Sequence, residues 1–291
     1  MENHFMSLGN QSSTSLQWQS ETLLLLAVVP ITAAVPFECL LFAPAFPWLI
    51  VRVLGLGALL ALLVLKSRAA TPGGALCGGL FTAAILLVTP GWHTPFWPLL
   101  TLLLLTLAAT RFGRCRKEAL GVAEARHGRN AAQVTANLGV AGLVAVARRL
   151  TWAFFSYPAL NGQALRLALA AALAEAAADT LSSELGEVLG GEPRMLTTFR
   201  RVPAGTDGAI SLAGTLAGVT AAIIVSAVAA VALRFNFPQV ALVVCAAVAG
   251  LFVDSWLGAV CERRGWLNND AVNFLSTLAA ALIAYFAYRI G

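Results

Sequence analysis

Nine long apolar stretches, separated by short polar loops, leave this chain one kind of solvent in which to fold. They occupy residues 21–43, 47–65, 74–91, 95–110, 130–147, 162–180, 209–233, 238–260 and 271–290. A helix needs roughly 20 apolar residues to cross the hydrocarbon core of a bilayer, and these runs are near or at that length. Composition leaves little room for anything else. Hydrophobic residues make up 59% of the chain and charged ones 11%, where a soluble domain carries about 25% charged residues. The expected fold class is all-α: a polytopic integral membrane helical bundle of about nine transmembrane helices. Residues 1–20 read as a polar tail without the basic start of a signal peptide, and residues 21–291 as a single membrane domain. Pro30, Pro36 and Glu38 predict a first span that is kinked or partly re-entrant. The segment TWAFFSYPALN at 151–161 reads as an interfacial turn with aromatic anchors.

Charge orients the bundle. Lys66 and Arg68 follow the second stretch, Arg111, Arg114, Arg116, Lys117, Arg126 and Arg129 the fourth, Arg194, Arg200 and Arg201 the sixth, and Arg263 and Arg264 the eighth. The intervening loops at 44–46, 91–95 and 235–237 hold no lysine or arginine. Basic loops face the cytoplasm, so the N-terminus is expected inside and the C-terminus outside. Arg148, Arg149 and Arg234 depart from the alternation and are expected to snorkel. The net charge of +5 belongs to these loops; no basic patch interleaved with aromatics points to nucleic acid. The five cysteines, 39, 77, 115, 245 and 261, show no CxxC or Cys/His spacing, which excludes zinc and a disulfide framework as organising features.

Four polar constellations fall on the basic side. The first enters the fifth stretch: Arg129, then Asn130, Gln133 and Asn137 at i, i+3 and i+7, on one helical face. Amides there either bind helices together or contact a nucleotide. The second is Glu175, Asp179, Ser182, Ser183 and Glu184. An acid inside an apolar helix costs roughly 2.5–3.5 kcal/mol on insertion scales, so function is the default reading and an internal ion pair the alternative. Carboxylates and hydroxyls on one face suit oxygen ligation of Mg²⁺.

The third constellation is RRVPAGTDG, from Arg200 to Gly208. Arg200 and Arg201 suit bidentate phosphate contacts. Gly205 and Gly208 allow a tight turn, while Thr206 and Asp207 are either helix caps or parts of a phosphate site. No GxxxxGK[ST] loop is present. The fourth comprises Asp254, Ser255, Gly258 and Glu262, then Asn269, Asp270 and Asn273 opening the last stretch. Asp254 lies inside an apolar run and carries the same functional default as Asp179. One of the last three would suffice as an N-cap.

These blocks also carry a resemblance. ADTLSSELG, RRVPAGTDGAISLAGTLAG, GRNAAQVTAN (128–137) and VDSWLGAVCERRGWLNNDAVNFLST (253–277) resemble, in the same order, the signatures of the integral membrane family that contains the plant and cyanobacterial phytyl-phosphate kinases and the animal transmembrane protein nineteen. The likeness extends over about residues 50 to 290, with the motifs in 111–291. It implies a nucleotide-dependent kinase that converts an isoprenyl monophosphate such as phytyl phosphate to the diphosphate, with CTP as donor.

The expected arrangement is an active site on the cytoplasmic face of the cell inner membrane. Asp179, Asp254, Arg201 and Asp207 are the candidate catalytic residues. Asp179, Asp254, Glu175 and Glu184 are the candidate ligands of Mg²⁺. Arg129, Asn130, Gln133, Asn137, Ser182, Ser183, Arg200, Gly205, Thr206, Gly208, Ser255, Asn269, Asp270 and Asn273 are the candidate contacts to nucleotide and lipid phosphate. Competing readings are a cytidylyltransferase or CDP-alcohol phosphotransferase and a transporter. DGAISLAG lacks the arginine and spaced aspartates of the CDP-alcohol pattern, and the hydropathy shows no inverted repeat.

Overall fold

The computed structural model describes residues 16–42, 47–89, 91–123, 128–154 and 158–290. The polar tail up to residue 15 and part of the expected interfacial turn, 155–157, lie outside the described residues. On either side of 155–157 the backbone is helical rather than a turn.

The first helix, α1, runs over Gln17–Leu23, widens into a π-helical turn at Leu24–Val28 and continues over Val29–Phe42. The π turn lies just before Pro30, which has no N–H to donate, while Pro36 is accommodated within the α-helix that follows. Then follow α2 (Pro47–Lys66), α3 (Pro72–Leu86), α4 (Phe96–Arg111), the short α5 (Arg114–Leu120), α6 (Ala131–Phe154) and the 32-residue α7 (Pro158–Leu189). A two-stranded ribbon pairs β1 (Arg194–Met195) antiparallel with β2 (Ala209–Ile210). The chain ends with α8 (Leu212–Leu233), α9 (Phe237–Leu257, prolonged by a π-helical turn at Gly258–Glu262) and α10 (Asn269–Ile290).

Each of the nine apolar runs is mostly helix among the described residues, but the expected nine spans are not all matched. Among the described residues, six helices are long and apolar enough to cross a membrane, or seven if α4 and α5, bent by 62°, form one broken span. Two runs fall short for different reasons. α3 has only 15 residues. α7 carries Arg166, Glu175 and Asp179 along its apolar stretch.

α7 is the axis of the bundle. Residues 167–178 are buried without exception, under α4, α6, α8, α9 and α10. Its sequence explains this. Lipid gives helices no hydrophobic reason to associate, so association rests on close packing, which small residues permit. The alanines of α7 let several helices approach one axis. The approach is tightest at α8: a Cβ on Gly214 would lie 2.6 Å from the Ser182 carbonyl oxygen, and one on Gly218 2.8 Å from that of Ala178. A second apolar cluster joins α1, α2, α3 and the start of α4 through Ile31, Leu49, Val53, Phe81 and Phe96, and Leu138 and Leu143 of α6 pack against both clusters. Leucines such as Leu25, Leu40, Leu54 and Leu62 point outward from α1 and α2, as a lipid-facing surface requires.

At the end of the bundle away from the polar motifs, arginines serve the backbone. Arg52 donates to the carbonyls of Thr89 and Gly91, both at 2.8 Å, and Arg148 to that of Val88 at 2.7 Å. These carbonyls lie in the segment that follows α3. Arg148 thus has a backbone partner at the end of the bundle.

Candidate active site

One end of the bundle collects the start of α6, the end of α7, the start of α8, the end of α9 and the start of α10. A polar cavity of about 340 Å³ lies among them. α7 reaches it because the helix continues to Leu189, well beyond the apolar run. Asp179, Ser182 and Ser183 therefore lie on a helix face lining the cavity rather than in a loop.

Across from them stand Asp254 and Ser255 of α9. The carboxyls of Asp179 and Asp254 interact across the cavity, with Ser183 beside Asp179 in the same lining. Asn273 of α10, with its amide nitrogen turned to this pair, donates to Asp254 Oδ2 at 3.3 Å and to the Asn269 carbonyl at 3.3 Å. Two carboxylates this close repel unless a cation or proton lies between them. Glu175, one turn deeper on α7, does not line the cavity. It is fully buried, neither of its oxygens has a hydrogen-bond partner, and Gly250 of α9 lies against its side chain.

The segment between β1 and β2 closes one wall. Its turn is held by Thr206, whose hydroxyl donates to the Pro203 carbonyl at 2.7 Å. The Leu196 amide donates to the Gly208 carbonyl at 3.3 Å. Gly208 has φ +72°, and a Cβ there would lie 2.1 Å from the Ala259 nitrogen. Only glycine lets this turn lie flat on the π-helical turn of α9, and that contact presents Gly205, Thr206, Asp207 and Gly208 to the cavity. Asp207 is not a helix cap: Ser211 caps α8, accepting from the Gly214 amide at 3.0 Å. The Asp207 carboxyl meets solvent on one side and is desolvated on the other. That desolvation lifts its pKa above the ordinary value, and the Arg263 guanidinium partly offsets the rise.

Other expected site residues have structural partners. Asn130 and Gln133 form a reciprocal cap at the start of α6: the Gln133 amide donates to Asn130 Oδ1 at 2.9 Å and the Asn130 amide to Gln133 Oε1 at 2.8 Å. Gln133 nonetheless lines the cavity, as do Asn137 and Asn269. Asn268, not its neighbours, caps α10, accepting from the Ala271 amide at 2.9 Å. Asp270 turns away to accept from Ser20 of α1 at 2.6 Å. Glu184 lines the cavity but is paired with the buried Lys117 of α5 and accepts from Thr110 at 2.9 Å. Arg200 and Arg201 do not reach the cavity. Both are exposed on the ribbon, and Arg201 pairs with Glu192.

Arg129 does reach it, and its backbone is clamped. Its amide donates to the Ala69 carbonyl and its carbonyl accepts from the Thr71 amide, both at 3.0 Å. Two further acids line the cavity: Glu187, which the sequence reading did not single out, and Glu262, which stood in the fourth constellation but not among the candidate ligands. Glu187 extends the Asp179–Ser183 face by another turn, a spacing readable in the sequence; Glu262 is brought in by the π-helical turn.

The electrostatics are one-sided. Six carboxylates line the cavity (Asp179, Glu184, Glu187, Asp207, Asp254 and Glu262) against one guanidinium, Arg129. Among the described residues no three His, Cys, Asp or Glu side chains form a ready metal cage. Mg²⁺ does not need one, because it binds through one or two carboxylates and completes its shell with water and substrate phosphate oxygens. The Asp179–Asp254 pair, with serine hydroxyls beside it, fits that requirement.

The family model described as "Integral membrane protein DUF92" matches residues 55–281. Protein VTE6, chloroplastic, of Arabidopsis thaliana is 34% identical over 184 residues, 61% of this chain and 53% of that protein. An uncharacterised membrane protein of Methanocaldococcus jannaschii is 40% identical over 119 residues, 40% of this chain and 48% of that protein. The chain thus spans about half the length of each of these two relatives. An uncharacterised membrane protein of Synechocystis is 30% identical over 245 residues, 82% of this chain and 91% of that protein. No solved structure matches the chain.

Proposed function

The chain belongs to the DUF92 integral membrane family, and on that premise we propose that it is a Mg²⁺-dependent phosphotransferase that passes the γ-phosphate of a nucleoside triphosphate to an isoprenyl monophosphate. The observation that carries this reading is the facing pair Asp179 and Asp254 at one end of the bundle, in a cavity of hydroxyls, amides and a glycine turn beside Arg129. Phosphoryl transfer asks little covalent chemistry of a protein; it asks for positioning and charge neutralisation. The resemblance to phytyl-phosphate kinases supplies the acceptor class and CTP as the donor. Lys66, Arg111, Arg129, Arg194 and Arg263 lie at or just beyond the helix ends on the cavity's side of the bundle, which supports a cytoplasmic opening.

In this reading Mg²⁺, when bound, neutralises the nucleotide phosphates. Asp179 and Asp254 hold it, and Ser182, Ser183 and Ser255 offer hydroxyls around them. Backbone amides of the turn at 205–208 face the phosphates. Asn137, Asn269 and Asn273 orient the nucleotide, and Arg129 meets the charge of the transferring group. A nonbridging oxygen of the acceptor monophosphate attacks the γ-phosphorus. The new P–O bond forms as the bond from the γ-phosphorus to the bridging oxygen breaks, and the nucleoside diphosphate leaves with that electron pair. The attacking oxygen is already anionic near neutral pH, so no strong base is needed.

The test is incubation of purified protein with γ-labelled CTP, ATP or GTP, Mg²⁺ and phytyl or geranylgeranyl monophosphate. The expected products are labelled prenyl diphosphate and unlabelled nucleoside diphosphate. Release of pyrophosphate would assign the cavity to nucleotidyl transfer instead, and no product with any nucleotide would reject the kinase.

A further inference from the structure

A second cavity, of about 550 Å³, lies between α2, α3, α4, α6 and α7. Its walls are mainly apolar, with Leu60, Val64, Leu99, Leu102, Leu103 and Leu107, and carry hydroxyls at Thr82 and Thr106. Its mouth, at the same end of the bundle as the polar cavity, is cationic. Arg68, Arg111, Arg114 and Arg129 stand there against one acid, Glu118, which lies 3.2 Å from Arg114. Twelve residues of α4 separate Arg111 from Leu99, so the cavity extends about 18 Å into the bundle at 1.5 Å per residue.

We infer that this cavity seats the acceptor, with a single prenyl chain between the leucines and its phosphate among Arg68, Arg111, Arg114 and Arg129. The inference rests on the kinase reading for its purpose and on the cavity's own shape and charge for its ligand. A phosphomonoester carries a charge of about −1.5 to −2 at neutral pH, which four guanidiniums and one carboxylate complement. The volume suits one flexible chain and leaves no room for the paired acyl chains of a bilayer phospholipid. The position suits transfer: Arg129, Asn137 and Thr180 line both cavities. A phosphate at the arginine mouth therefore lies one side chain's thickness from the acids. Arg129 is held at this wall from two sides, by its bonds to the loop before α3 and by Gly74, where a Cβ would lie 2.4 Å from the Arg129 carbonyl oxygen.

Gly78 gives a direct way to fill the cavity. It lines the apolar wall, and a Cβ there meets only Val134 Cγ1, at 3.9 Å. Gly78→Leu thus adds volume inside the cavity without striking backbone. Gly55, exposed on α2 with nothing within 4 Å of a Cβ, provides the matched control Gly55→Leu.

The experiment uses the full chain in detergent and a geranylgeranyl monophosphate carrying a photoactivatable group on its last isoprene unit. Labelled peptides should come from α2, α3 and α4. Unlabelled prenyl monophosphate should compete, with the prenyl alcohol about tenfold or more weaker because it lacks the charge-assisted hydrogen bonds, and phosphatidic acid and inorganic phosphate should not compete. Gly78→Leu, and separately the pair Arg68→Gln with Arg111→Gln, should each reduce labelling about tenfold or more, while Gly55→Leu leaves it unchanged. Should Gly78→Leu fail to fold, the labelled positions and the arginine variant decide. Labelling on helices that do not line the cavity (α1, α8, α9 or α10), equal competition by the alcohol, or equal competition by phosphatidic acid overturns the assignment. Labelling as expected without transfer from any nucleotide rejects the kinase and keeps the site; transfer with labelling elsewhere rejects the site and keeps the kinase.

Discussion

Two cavities share a wall in this bundle and carry opposite charge. The first is lined by Asp179, Glu184, Glu187, Asp207, Asp254 and Glu262, and the second opens between Arg68, Arg111, Arg114 and Arg129. They are also built differently. The acidic cavity stands on α7 to α10, where alanine and glycine bring backbones together and fix carboxylates on opposing helices. The arginine-mouthed cavity is framed largely by the leucines of α2 and α4 and widens into apolar space. The difference teaches a division of labour. An acidic site binds polyphosphate only through a divalent cation, and a basic mouth on an apolar shaft binds a lipid phosphate directly. In the proposed reaction, placing the two across one arginine would let like-charged substrates approach without sharing a site.

That contrast breaks most completely if the acids are inert. Asp179→Asn and Asp254→Asn keep shape and remove charge; each should lower kcat by on the order of 100- to 1,000-fold, the range for losing one preorganised electrostatic partner. The double variant should be little worse than either, because residues acting as a unit are not additive. Near-wild-type turnover in either single variant would make that carboxylate structural.

Glu184 sharpens the boundary between working acids and structural ones. Its partner Lys117 is buried, and removing one member of a buried pair costs about 3–5 kcal/mol. Lys117→Met should therefore lower the thermal unfolding midpoint strongly. Adding Glu184→Gln should recover most of the loss and keep turnover near wild type. Lost turnover in the stable double variant would return Glu184 to the metal site.

The shared wall is tested by Arg129→Lys, which keeps the charge and loses the planar fork. An increase of about tenfold in KM for both substrates is expected, since Arg129 lines both cavities. A change confined to one substrate would mean that the wall serves one cavity alone. The smallest effect is expected at Arg201. Its ion pair with Glu192 is exposed, and such pairs contribute about 0–1 kcal/mol. Arg201→Lys should leave both KM values within about twofold, and a large rise would bring the ribbon over the cavity during turnover.

The helices were legible in the sequence because each apolar run leaves the chain no other way to satisfy its backbone in lipid. Asp179 and Asp254 were legible for the same reason: an acid inside such a run is costly enough to demand a role. Placement beyond the runs was harder to read. Asp179, Ser182 and Ser183 read as one helix face, but the polar residues after them do not announce that α7 runs on to Leu189, and only the spacing Asp179, Ser183, Glu187 marks the continuation. Arg200 and Arg201 stand beside a glycine turn in the sequence, but the β1–β2 ribbon carries them to the surface while the turn itself faces inward. The reciprocal cap of Asn130 and Gln133 shows in the sequence only as amides three residues apart, a pattern that fits helix glue or a nucleotide contact equally well. The second cavity left no local signature, since Arg68 comes from one loop and Arg111, Arg114 and Arg129 from another, and all four read as topological charge.

The most direct measurement is of two dissociation constants on one preparation, Mg²⁺-nucleotide and geranylgeranyl monophosphate, for the wild type and Asp179→Asn. Loss of about tenfold or more in nucleotide affinity, with lipid phosphate affinity unchanged, is the result expected of an acidic metal–nucleotide cavity beside a separate lipid seat. Unchanged nucleotide affinity in Asp179→Asn, or an equal loss for both ligands, would contradict it.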